Sequence, residues 1–212
     1  MDVDEAQARM REIQRIMERA TLFTLLPGTP AVFGGLMVLA GCGVSYAMFR
    51  SLDFADLLGM SLAAQGAFCV MWFAIGMVGI LMEVILTSRA AKKQGLAPAD
   101  RPMRVAAFSL TPSVVVAMVL TFKFLIPLQP KPEEIQYIVP VWMMLYGTGV
   151  YTAGLFSVRA PRVLGMAFIA LGTVALLVFP QYGVVSAALS FGLLHILFGL
   201  YIIWKQRQVA GS

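Results

Sequence analysis

The sequence has little charge, a single histidine and two cysteines, and each scarcity excludes a class of protein. Only 13% of its 212 residues are charged and 59% are apolar, whereas a soluble domain has about 25% charged residues. So little polar surface cannot cover a water-soluble globule or keep a chain disordered. It also argues against binding to nucleic acid, despite the net charge of +5. One histidine and two cysteines cannot form an HExxH zinc site or a disulfide framework.

Six apolar stretches are long enough to cross about 30 Å of hydrocarbon as helices. Membrane-spanning barrel strands are much shorter than these runs, so helices are the structure that satisfies the backbone. Short connecting loops make consecutive helices antiparallel neighbours. We therefore predict an all-α integral membrane protein with a six-transmembrane-helix bundle in residues 30–204 and a tail at 205–212. The predicted spans are residues 30–49, 66–87, 105–128, 136–158, 162–180 and 184–204.

Lysine and arginine are distributed unevenly between the two sets of loops. Thirteen of the sixteen lie in the amino-terminal segment, the 88–104 loop, the turn at 159–162 and the tail. Only Arg50 and Lys131 lie on the opposite side, and Lys123 is within a span. Because cytoplasmic loops carry the excess of positive charge, both termini are expected to be cytoplasmic.

Residues 1–29, ahead of the first predicted span, have the pattern of an amphipathic helix. Small and apolar residues recur at alternating three- and four-residue steps over three heptads, and Glu5 and Arg9 form a favourable i,i+4 pair. Two interpretations stay open: a helix lying on the inner leaflet, or a helix that docks a partner subunit or a second copy. The docking candidates are Val3, Ala6, Met10, Ile13, Met17 and Ala20.

Three ionisable side chains fall within the predicted spans, where a charge costs a few kcal/mol or more. Glu83 lies four residues from the end of the second span and Lys123 five from the end of the third, so both side chains can extend toward the interface. His195 lies near the middle of the sixth span. Four roles are open for it: a hydrogen bond that stabilises the bundle, a proton relay, a ligand contact, or axial ligation of haem or chlorophyll.

The fourth span is rich in glycine, threonine and tyrosine. Its tyrosines, Tyr146 and Tyr151, cannot both lie at a membrane interface, so the span either packs tightly through hydrogen-bonded hydroxyls or lines a polar cavity. The hydroxyls of Thr148, Tyr151 and Thr152 are the expected partners of His195. Any site within the membrane is expected between the third, fourth and sixth spans. The ligand or proton-relay candidates are His195, Glu83, Lys123, Tyr146, Tyr151, Thr148 and Thr152.

Three stretches of the carboxy-terminal half carry a resemblance: Trp142 followed by Leu145-Tyr146-Gly147, the 161–172 stretch ending in Leu171-Gly172, and Gly192 followed by His195 and Gly199. They resemble a group of uncharacterised bacterial six-span inner-membrane proteins, over about the carboxy-terminal third of the chain. The resemblance implies a bacterial cytoplasmic membrane and brings no catalytic residue with it.

No catalytic motif points to an enzyme. The spans hold no aspartate pair, and the fourth span lacks the serine nucleophile of a six-span intramembrane protease. We therefore expect a non-enzymatic membrane subunit that acts through helix contacts with other membrane subunits or with a second copy. The alternatives are a small transporter or channel with a polar site, and a haem- or chlorophyll-binding subunit that uses His195. No metal site is expected otherwise.

Overall fold

The computed structural model describes residues 28–93, 101–125, 132–155 and 159–210, together with Glu5, Gln7, Arg9 and Met10. This part of the chain is helical and contains no strand, and six of its helices are long and apolar enough to cross a membrane. The predicted all-α bundle with six helices of membrane-spanning length is thereby confirmed. The first five helices are α1 (Gly28–Phe49), α2 (Leu62–Lys93), α3 (Arg101–Leu125), α4 (Ile138–Leu155) and α5 (Arg159–Val178). The sixth, α6, comprises Gly183–Ala187, the π-helical Ala188–Leu194 and His195–Ala210.

The helices form two neighbouring groups within the bundle. In one group α1 packs between α2 and α6, and in the other α4 packs between α3 and α5. The sixth helix joins the groups, since it packs along α1 and also reaches α4 and α5 through its first half. This arrangement brings the middle of α6 against the middle of α4, where the candidate site lies.

Glycines allow α1 and α6 to approach closely. Gly28 and Gly35 on α1 face Gly199 and Gly192 on α6, so each helix presents two glycines seven residues apart to the other. A Cβ atom at Gly35 would lie 2.6 Å from the carbonyl oxygen of Gly192, and one at Gly199 would lie 2.5 Å from that of Gly28. Only a residue without a side chain fits at these crossings, as is common where membrane helices pack.

Glycines also allow α4 to approach its neighbours closely. A Cβ atom at Gly165 of α5 would lie 2.6 Å from the carbonyl oxygen of Gly147 on α4. On the other side of α4, a Cβ atom at Gly149 would lie 3.0 Å from Leu110 of α3. The glycines noted in the fourth span therefore serve two different neighbours. Tight packing, one of the two interpretations of that span, is what they provide.

A tryptophan side chain forms a hydrogen bond between α2 and α1, and another forms one between α4 and α3. The indole N–H of Trp72 on α2 donates to the Ser45 hydroxyl on α1 at 3.2 Å, and that of Trp142 on α4 donates to the Thr121 hydroxyl on α3 at 2.7 Å. Each hydroxyl in turn donates at 2.8 Å to the carbonyl oxygen four residues earlier in its own helix. Every polar atom of these contacts within the apolar bundle is thereby paired.

The 3-10 helix Phe54–Gly59 folds over one end of the bundle. Phe54 packs edge-on against Phe68 and Trp72, with ring centroids 5.4 and 5.8 Å away. Asp53 caps this helix by accepting a 2.8 Å hydrogen bond from the backbone N–H of Ala55. Burial raises the pKa of the Asp53 carboxyl above its ordinary 3.8; that hydrogen bond acts in the opposite direction.

The amino-terminal segment is described only at four positions. Glu5, Gln7, Arg9 and Met10 are helical and exposed, and Arg9 donates to the Glu5 carboxylate at 2.7 Å, as the i,i+4 spacing predicts. The remaining docking candidates lie outside the described residues. They are Val3, Ala6, Ile13, Met17 and Ala20.

Candidate functional site

Tyr146 and His195 form a hydrogen bond between α4 and α6 at the middle of the bundle. The hydroxyl oxygen of Tyr146 lies 2.8 Å from Nε2 of His195, and Nδ1 of the same ring lies 3.4 Å from the Ser190 carbonyl oxygen. A carbonyl oxygen only accepts hydrogen bonds, so we assign the proton of the neutral imidazole to Nδ1. Nε2 is then the acceptor, and the Tyr146 hydroxyl donates to it.

Aromatic rings enclose this hydrogen bond. Phe168 of α5, which is fully buried, lies 4.9 Å from the Tyr146 ring and 5.2 Å from the His195 ring, both measured between centroids. Phe191 stacks on His195 at 6.0 Å with 15° between the ring planes. Apolar walls keep competing water away from the two polar groups, which strengthens the interaction between them.

The π-helical segment Ala188–Leu194 immediately precedes His195. A π-helix bonds residues five apart, and short π segments within α-helices are frequent at functional sites. Here the distorted turn leaves the Ser190 carbonyl oxygen within reach of the His195 ring, five residues later. Ser190 itself is fully buried, and its hydroxyl donates at 2.6 Å to the carbonyl oxygen of Ser186.

A third helix contributes an ionisable group to the surroundings of Tyr146. The carboxyl group of Glu83 on α2 interacts electrostatically with the Tyr146 hydroxyl. The hydroxyl of Thr87, one turn further along α2, is buried without a hydrogen-bond partner among the described residues. The helix continues to Lys93, six residues beyond the predicted end at residue 87.

The other candidates lie elsewhere. Lys123 is exposed, two residues before α3 ends. The hydroxyls of Thr148 and Thr152 each donate at 2.8 Å to a carbonyl oxygen of their own helix, and Tyr151 lines a separate cleft with two arginines. The hydroxyl that meets His195 is thus that of Tyr146, instead of the three we expected. The Tyr146–His195 hydrogen bond joins the fourth and sixth helices, as expected, and the fifth helix supplies Phe168 in place of the third helix that we expected there.

The hydrogen bonds of His195 bear on axial ligation of a haem or chlorophyll. Ligation needs a free ring nitrogen, but Nε2 is bonded to Tyr146 and Nδ1 faces Ser190. A porphyrin would have to displace Tyr146 and separate rings that are about 5 Å apart. The arrangement does not fit such a group. Within the described ranges, no three His, Cys, Asp or Glu side chains come together as a metal site.

Neither Phe168 nor Phe191 was a sequence candidate. Phe191 lies one turn before His195, and this spacing is a signal that could have placed it beside the ring. Phe168 lies in an all-apolar stretch of α5, where nothing in the pattern separates it from neighbouring large side chains.

Comparison of the chain with protein-family models, with curated proteins and with solved structures gives no match.

Proposed function

We propose that this protein transfers protons within the membrane, as a small transporter or channel, through Glu83, Tyr146 and His195. The observation that carries the proposal is the hydrogen bond from Tyr146 to Nε2 of His195. The electrostatic interaction of Glu83, on a third helix, with the same hydroxyl supports it. Ionisable groups at membrane depth are expensive, and proton relays are among the functions that retain them.

The chemistry of the three groups suits a relay. The Tyr146 hydroxyl passes its proton to Nε2 of His195 as its oxygen receives one from the Glu83 carboxylic acid. The imidazole then holds a proton on each nitrogen and releases the Nδ1 proton to water, since the Ser190 carbonyl oxygen accepts the hydrogen bond but does not take the proton. Return of the ring proton to Nδ1 and reprotonation of Glu83 restore the starting state. The phenol is the group that both accepts and donates, so its removal interrupts the transfer without changing the charge of either neighbour.

Proton flux into proteoliposomes tests the proposal. The protein is reconstituted with an internal pH-sensitive dye, and a pH step is applied across the vesicle membrane. Tyr146→Phe, His195→Phe and Glu83→Gln are each expected to lower the flux at least about tenfold, since a positioned acid–base group commonly contributes roughly 100-fold or more to proton transfer. Tyr151→Phe and Lys123→Gln are the matched controls and are expected to retain it.

Two outcomes contradict the proposal. One is a wild-type flux no greater than that of empty vesicles. The other is a flux that survives Tyr146→Phe in protein whose helical content and elution volume are unchanged. Either result would mean that the Tyr146–His195 hydrogen bond stabilises the fold and does not transfer protons.

We also propose that both termini lie in the cytoplasm, in a bacterial inner membrane. The proposal is supported by the distribution of lysine and arginine, which places Arg89, Arg159 and Lys205 with the excess of positive charge and Arg50 on the other side. Reporter fusions after residue 210 and within the 3-10 helix Phe54–Gly59 test it. A cytoplasmic reporter is expected to be active only in the first fusion, and the reverse result contradicts the orientation.

The second candidate function is that of a membrane subunit. The most apolar stretch of α2 contains no buried residue, and Phe73, Ile80 and Val84 on its face are each more than half exposed. Gly76 and Gly79 have open space where a Cβ would lie, so another helix could approach there. These features are compatible with a covering helix from another subunit or a second copy.

Native mass spectrometry after gentle extraction tests this second function. A stoichiometric second chain is expected, and Ala6→Glu combined with Ala20→Glu is expected to release it if the amino-terminal helix docks it. Quantitative recovery of monomer alone, with wild-type protein, contradicts the subunit function and leaves α2 facing lipid.

A further inference from the structure

A basic cleft lies at the junction of α4 and α5, apart from the Tyr146–His195 cluster. It has a volume of about 350 Å³ and opens outward between the carboxyl end of α4 and the first turns of α5. Five side chains line it, of which two are cationic, one is phenolic and two are apolar. They are Tyr151, Arg159, Arg162, Val163 and Met166.

Close helix packing builds the cleft. A Cβ atom at Gly154 of α4 would lie 2.7 Å from both the backbone nitrogen and Cγ of Arg162. The absence of a side chain there lets the first turn of α5 lie directly on α4, so that the stem of Arg162 is held against the backbone. The Gly147–Gly165 contact, seven residues away along α4, fixes the same pair of helices, and Tyr151 lies between the two contacts on α4.

The cationic groups of the cleft have no anionic partner in the part of the chain that the structure describes. Nε of Arg162 is buried and makes no hydrogen bond to any residue that the structure describes, and the first turn of α5 contains no acidic residue. The free N–H groups at a helix amino terminus also attract anions. A buried guanidinium nitrogen without a partner is costly, so an anion held here would complete the site.

The apolar residues indicate which anion. Val163 and Met166 are 69% and 55% exposed, and they lie further into α5 than the arginines, toward the apolar part of that helix. A ligand that matches both the cationic and the apolar side chains of the cleft has a negative headgroup and an adjoining hydrocarbon chain. We propose that the cleft binds an anionic phospholipid, with its phosphate on Arg159, Arg162 and the Tyr151 hydroxyl and an acyl chain along Val163 and Met166.

Native mass spectrometry with defined lipids tests the site. Wild-type protein in mild detergent is titrated with phosphatidylglycerol and with phosphatidylcholine, and the retained lipid is counted. We expect a several-fold preference for phosphatidylglycerol. Arg162→Gln and Arg159→Gln are each expected to reduce it about fivefold, because a basic residue near an anionic surface contributes about that factor. Arg162→Lys retains the charge but lacks the planar guanidinium group. Its preference for phosphatidylglycerol is expected to lie between those of the wild-type protein and Arg162→Gln. Arg207→Gln, an exposed arginine at the end of α6, is the control.

Three outcomes overturn the proposal. The first is equal retention of the two lipids by wild-type protein. The second is an Arg159→Gln or Arg162→Gln variant, folded by its circular dichroism spectrum, that keeps the full preference. The third is displacement of phosphatidylglycerol by millimolar inorganic phosphate, which would make the cleft a site for a free anion. Proton flux is not the readout, so failure here and failure of the proton relay are distinguishable.

Discussion

The Tyr146–His195 hydrogen bond makes a quantitative prediction for a double-mutant cycle. Tyr146→Phe removes the hydroxyl and leaves Nε2 of His195 unpaired, and His195→Phe leaves the hydroxyl unpaired. Burying an unsatisfied polar group costs about 1–3 kcal/mol. Replacing both partners removes the unsatisfied atoms together, so the double variant is expected to be little less stable than either single one.

The size of the coupling follows from the environment of the bond. Hydrogen bonds between membrane helices average about 0.6 kcal/mol with a maximum near 1.7 kcal/mol. The Tyr146–His195 bond is 2.8 Å long and is enclosed by Phe168 and Phe191, which limits competition from water. We therefore expect a coupling energy in the upper half of that range, about 1–1.5 kcal/mol.

The assay is reversible unfolding in mixed micelles with increasing denaturing detergent, followed by circular dichroism. The control cycle pairs Tyr151→Phe with His195→Phe, whose effects are expected to add within about 0.5 kcal/mol because the two residues share no contact. A coupling between Tyr146 and His195 below about 0.3 kcal/mol, or one equal to that of the control cycle, would refute the reasoning.

Three further predictions concern packing and pH. Gly199→Ala is expected to destabilise the fold, since its Cβ would lie 2.5 Å from the Gly28 carbonyl oxygen. Gly43 faces open space, so Gly43→Ala is expected to be neutral or stabilising. The midpoints of detergent unfolding compare the two variants. Trp142→Phe removes the hydrogen bond between α3 and α4 and is expected to cost about 1 kcal/mol in the same assay. The raised pKa of Asp53 means that the folded state binds its proton more tightly than the unfolded state. The free energy of unfolding should therefore fall as pH rises from 3.8 through the raised value, and Asp53→Asn, which keeps a capping oxygen, should reduce that fall.

The spans were predictable because hydropathy over twenty residues is a property of the chain itself. The helix count and the predicted positions therefore agree with the structure to within a few residues at most ends. The second and sixth helices are the exceptions, because each continues six residues beyond its predicted end, to Lys93 and to Ala210. Basic residues mark the end of an apolar span, but a helix can continue past them.

The contacts between helices were harder to predict, since a helix that is apolar all round does not reveal which face meets which neighbour. By their positions along the fourth span, Tyr146, Thr148 and Tyr151 could each have met His195. Their angular positions differ, because a step of five residues turns an α-helix by about 140°, and only one face of α4 meets α6. The π segment before His195 has no signature in the sequence, so the direction of the ring could not be derived.

If Glu83, Tyr146 and His195 exchange a proton as one unit, the protonation of Glu83 depends on the Tyr146 hydroxyl. Infrared difference spectroscopy of the reconstituted protein, recorded across a pH titration, measures this dependence. We predict a protonated carboxylic acid band that is absent in Glu83→Gln, shifted in Tyr146→Phe and unchanged in Tyr151→Phe. A Glu83 band that titrates identically with and without the Tyr146 hydroxyl would show that the three groups do not act together.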